Sequence, residues 1–151
     1  MSINKGRENA HKVLNRFKEE WPLEKIKSLK IEDYVSNQQK GFCYDIEFNT
    51  PGIGSIRGGN SIKFGLYKRA DATKQTALKN VHSDDQYVWH KDLGESREQA
   101  FDTIKTKIVE IIRLAESKNI DAIAQLDTPY FWSVFKWKLV FMYAPTGTIV
   151  D

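Results

Sequence analysis

The chain has 151 residues, of which 40% are hydrophobic and 28% charged, with a formal net charge of +3. This is the length and balance of one globular domain that buries its own core, and it excludes two independent domains. No apolar run reaches the roughly 20 residues of a membrane span, the polar start MSINKGRENAHKV lacks the apolar core of a signal peptide, and the lone Cys43 has no disulfide partner. A soluble, cytoplasmic protein that avoids membranes is expected.

From the N-terminus, Ala10, Val13, Leu14 and Phe17 recur at helical spacing and predict an amphipathic helix over 9–20, closed by Trp21-Pro22. Short apolar repeats over 23–35 predict one or two helical turns before the polar loop SNQQKG. Phe42, Tyr44, Ile46 and Phe48 alternate with polar or small residues and predict a strand, and Ile62, Phe64 and Leu66 predict another. The glycine-rich segment GIGSIRGG would join those two strands as a hairpin, and 70–85 reads as an exposed loop before a short strand, QYVWH. Ser96 and Gln99 form a capping-box pattern ahead of Phe101, Ile104, Ile108, Ile111, Ile112 and Ala115, which predicts a long helix. A second short helix is expected over 121–126. Phe135, Trp137, Leu139, Phe141 and Tyr143 alternate with Lys136, Lys138, Val140 and Met142, predicting a last long strand. The expected fold is one α+β domain over residues 1–151: a mostly antiparallel sheet of four to five strands, with the N-terminal helix and the long amphipathic helix packed on it.

Among candidate sites, the glycine segment lacks the lysine spacing and following helix of a nucleotide-binding P-loop. Two readings stay open: glycines that permit a turn, or a backbone close enough to a phosphate or base edge for Arg57 to act. Asp45 and Glu47 would share a strand face, as in metal nucleases, but residue 49 is Asn where such enzymes carry lysine. Pairing with Lys63, Lys136 or Lys138 accounts for the same carboxylates. His11, His82, His90 and Cys43 lack metal-ligand spacing, and no nucleophile motif is present, so no catalytic residue, metal or cofactor is expected. The aromatic residues Trp89, Tyr130, Phe131 and Trp132 divide between core and a base-stacking platform, since three consecutive aromatics cannot all face one way from a strand.

Taken in order, WPLEKIKSLKIEDY, GFCYDIEFNTPGIGSIRGGNSIKFGLYKR, YVWHKDLGESREQAFDTIKTKIVEI and FKWKLVFMY resemble the region that precedes the AAA+ motor of McrB-like restriction ATPases, over about Phe17 to Tyr143. The resemblance implies a non-catalytic DNA-recognition module of a modification-dependent restriction system used in phage defence. In such systems a GTP-hydrolysing AAA+ ring follows the module, and a McrC-type subunit cuts. The chain carries no Walker motif, and its abrupt end after TIVD suits a piece of a larger AAA+ protein. The expected ligand is double-stranded DNA, with or without methylated cytosine. Arg57, Lys63, Lys68, Arg69, Lys136 and Lys138 would meet the DNA backbone, and Trp89, Tyr130, Phe131 and Trp132 would stack on or cage a base. The alternatives are a protein-interaction module of the same complex that uses the aromatic triplet, and a nuclease that uses Asp45 and Glu47.

Overall fold

The structure, a computed structural model, describes residues 12–49, 61–69, 80–128 and 132–145. The glycine segment, Arg57, Tyr130 and Phe131 lie outside these residues.

The centre of the molecule is the helix that the sequence marks most clearly. Helix α5 spans Arg97–Glu116, and the Ser96 hydroxyl accepts the Gln99 amide while the Gln99 side chain accepts the Glu95 amide. These bonds satisfy donors that the first helical turn cannot pair internally. Ala100, Ile104, Ile108, Ile111, Ile112 and Ala115 are buried along one stripe. Around it pack α2 (Leu23–Lys27), α6 (Ile120–Gln125), α7 (Ser133–Tyr143) and one face of a small sheet.

The N-terminal helix α1 covers residues 12–20, and α3 (Ile31–Tyr34) and α4 (Phe42–Phe48) complete the helical layer. An aromatic cluster ties this layer together. Phe42 meets Phe17, Trp21 and Tyr34 at ring-centroid distances of 5.7, 5.4 and 6.0 Å, and the Tyr143 hydroxyl donates to the Trp21 carbonyl at 2.6 Å. The Tyr34 hydroxyl donates to the Phe64 carbonyl at 2.7 Å, and so joins α3 to the chain entering the sheet. Such buried hydroxyls must find acceptors, because an unpaired one loses its hydration for nothing.

The sheet is three-stranded and antiparallel: β1 (Leu66–Lys68), β2 (Val81–Ser83) and β3 (Tyr87–His90), in the order β1-β3-β2. Leu66 and His82 flank Trp89 in register. The mixed α+β class stands, with three strands among the described residues in place of the expected four to five. Two expected strands are helices, FCYDIEF forming α4 and VFKWKLVFMY lying in α7. Their apolar residues fit both periods. Phe42 and Ile46 are four apart, as are Phe135 and Leu139, so either element buries one face. The segment SIKF is a 3-10 turn rather than strand, and a strand, β2, runs within the stretch expected as loop. The glycine segment therefore connects α4 to the 3-10 turn, and the expected hairpin between two strands is not formed. Among the described residues, no helix is long and apolar enough to cross a membrane.

Candidate nucleic-acid interface

The residues expected to meet DNA separate sharply. Lys68 is exposed at the end of the edge strand β1. Arg69 follows it, half-buried, and donates from Nη1 to the Asp84 carbonyl at 2.8 Å. Lys63 forms an ion pair with Glu47, joining the 3-10 turn to α4, as the pairing of opposite charges anticipated. Lys136 and Lys138 are buried on α7, where a strand would have alternated them outward. The Lys136 ammonium donates to the Ile123 carbonyl at 3.3 Å, and burial pushes the Lys138 ammonium down to about 8.

Of the expected stacking residues, the two described, Trp89 and Trp132, are likewise committed to the interior. Trp132 is 0% exposed and sits edge-on to Phe135 at 5.1 Å, so its ring has no open face for a base. Trp89 is 3% exposed, and its indole N–H donates to the Gly94 carbonyl at 3.0 Å. Both burials follow from position. Trp89 faces α5 from the central strand, and Trp132 caps the start of α7 beside Gly65.

Asp45 and Glu47 do not share a face. On a helix, residues two apart point about 200° apart, and each carboxylate has its own task. Asp45 accepts the Trp21 indole N–H at 2.6 Å, while Glu47 holds Lys63. The nuclease geometry is therefore absent at this pair. Cys43 is buried, and burial pushes its thiol well above the ordinary value, so it stays protonated and unreactive.

Sequence reasoning passed over a groove of about 480 Å3 between β2 and the start of α5, walled by His82, Asp84, Trp89, Glu95, Arg97 and Glu98. Arg97 organises it. Its guanidinium bonds Asp84 at 2.6 Å, Gln86 at 2.6 Å and Asp85 at 2.9 Å, and lies 4.7 Å from the Tyr87 ring centroid. Asp84 also accepts the amides of Gln86 and Tyr87, which shapes the β2–β3 turn. Three carboxylates against one already paired guanidinium make this groove unfavourable for phosphate. The run SDDQ followed by Arg97 hints at the network, but only the folded hairpin brings the charges together.

Burial alone would raise the Asp84 carboxyl, but the Gln86 amide, Arg97 and the Tyr87 amide outweigh it and hold the group below the usual carboxylate range. A depressed folded value means that the stabilisation is present above the unfolded carboxylate value and is lost as pH falls through the folded one. Arg97→Ala is expected to cost about 1–2 kcal/mol at neutral pH, given partly exposed charged hydrogen bonds. The deficit should shrink on acidification below about pH 4. Urea unfolding of both proteins at neutral and acid pH measures it; a deficit independent of pH would assign the loss to packing on Tyr87.

No protein-family model, curated protein or solved structure matches the chain.

Proposed function

We propose that the chain is the DNA-recognition module of a McrB-like restriction ATPase, non-catalytic by itself and working in the cytoplasm. Its partners on this reading are double-stranded DNA, unmodified or cytosine-methylated, and, through the parent protein, a McrC-type nuclease subunit. One observation carries the reading. The continuous stretch 50–79 holds Arg57, Lys63, Lys68, Arg69, Lys74 and Lys79 against a single acid, Asp71, and the exposed Lys68 of β1 lies within it. Although Lys63 is held by Glu47 and Arg69 by the Asp84 carbonyl, a run of cations with so little acid in its own sequence suits a polyanion, because each phosphate neutralised releases condensed counterions. The acidic groove by α5 and the buried lysines of α7 do not suit DNA, which favours the stretch 50–79 on this reading. The collinear resemblance to the McrB-like region supplies the context.

The test is fluorescence anisotropy with short duplexes, unmodified and cytosine-modified, across a salt series. Binding is expected to weaken with salt, and Arg57→Glu with Lys68→Glu should flatten the salt slope by about 0.9 for each phosphate that the protein no longer neutralises. A preference for one duplex would identify the mark that is read. Absence of binding at low salt, or affinity indifferent to both charge reversals, would overturn the proposal.

A further inference from the structure

Tyr44 and Phe48 change sides because α4 is a helix. A strand would have buried both with Phe42 and Ile46, but residues four apart on a helix share a face, and α4 turns Phe42, Cys43 and Ile46 inward and this pair outward. Phe48 is 40% exposed. Tyr44, half-buried, backs it with the ring centroids 4.8 Å apart, so the outer ring stands on a second one.

The surroundings are cationic. Asn49 closes α4 just ahead of the stretch 50–79, and Lys63, within that stretch, is ion-paired to Glu47. The stretch is therefore tied to α4 at both neighbours of Phe48, through the chain at Asn49 and through the ion pair at Glu47. Arg16 of α1 donates from Nη2 to the Asn49 carbonyl at 2.8 Å, which sets an exposed guanidinium at the carboxyl end of the helix. The nearby acids are occupied. Glu47 holds Lys63, and Asp45 accepts the Trp21 indole N–H and the Asn49 side-chain amide.

We propose that Phe48, backed by Tyr44, is a wedge that inserts between two stacked base pairs of duplex DNA and kinks it. The inference rests on the DNA reading of the stretch 50–79. Arg16 and the cationic stretch select a polyanion over an apolar protein surface, since burying those cations against hydrocarbon would strip their water without return. The ring pair then meets the one apolar part of the duplex, the interior of its base stack. Phe48 projects from the outer face of a helix, the placement of an apolar wedge, whereas an extruded base needs a pocket that encloses it. Unstacking costs least at TA and CA/TG steps, so a duplex with such a step is the favoured ligand.

End-to-end fluorescence energy transfer on a doubly labelled duplex of about 20 base pairs, with one central TA step or none, tests this beside anisotropy. The wild type is expected to bend the TA duplex by roughly 20–90° and to bind it more tightly than the duplex without the step. Phe48→Ala should abolish the bend and weaken binding by roughly tenfold, with the salt slope unchanged because no phosphate contact is lost. Phe48→Leu, still apolar and bulky, should recover most of the bend, which separates wedging from a change in the fold. A bound duplex that stays straight, or a bend that survives Phe48→Ala, overturns the wedge and leaves DNA binding standing. Absence of binding at low salt overturns both.

Discussion

Trp132→Ala is expected to destabilise the domain by about 3–5 kcal/mol, the usual cost of removing a fully buried aromatic side chain. The ring is 0% exposed, stands edge-on to Phe135, and Phe135 in turn stands edge-on to Phe64 at 5.1 Å. Truncation would open a void where α7 begins, with Phe64, the residue before Gly65 and β1, one ring away. Trp132→Phe should cost much less. The Trp132 indole N–H finds no acceptor among the described residues, so replacing it forfeits volume but no hydrogen bond. Urea unfolding measures both variants, and anisotropy with duplex DNA run beside it separates structure from recognition. A stacking platform would behave in the opposite way: Trp132→Ala would leave stability alone and weaken DNA binding by roughly 1–3 kcal/mol. That outcome would place the ring on the surface.

The second large effect belongs to Gly41. It precedes α4 with φ +109, a conformation that residues with a side chain rarely adopt. A Cβ built there would lie 2.3 Å from the Val35 carbonyl oxygen and 3.3 Å from that of Asp33, both backbone atoms that cannot swing aside. Gly41→Ala therefore combines left-handed strain with a backbone clash, and a loss of about 3 kcal/mol or more is expected. The damage should spread, because α4 carries Phe42, which holds Phe17, Trp21 and Tyr34. Thermal melting should show a lower midpoint, with near-UV signal from the aromatic cluster weakened before helical signal disappears. A variant that melts with the wild type would mean that the 35–41 turn rearranges at little cost.

Both predictions concern residues whose sequence context says little about their role. Trp132 follows Tyr130 and Phe131 in a triplet that suggests a surface platform, yet it is the most fully enclosed tryptophan among the described residues. Gly41 ends the polar run SNQQKG, where any of several residues could have made the turn.

The sequence by itself determined the elements whose local signals agree. The Ser96 cap and the apolar stripe through Ala115 specify α5, because that spacing fits a helix over five turns and no strand could bury it. The same holds for α1, α6 and β3, while of the pairings open to Asp45 and Glu47 with Lys63, Lys136 or Lys138 the fold selected Lys63 with Glu47. Tertiary structure alone decided α4 and α7. FCYDIEF and VFKWKLVFMY are short and rich in aromatic residues, and their apolar positions satisfy a period of two as well as helical spacing. The neighbours settled the choice: Phe42, Cys43 and Ile46 had to meet the rings of α1 and α3, and Phe135, Leu139, Val140 and Met142 had to meet α5 and Phe64. Once α7 was a helix, Lys136 and Lys138 turned inward and Trp137 outward, the reverse of what an alternating strand implies. The reason is general to short apolar runs. Local pattern fixes how much surface must be hidden, while the elements packed against it fix which side chains are hidden and which remain to meet a partner.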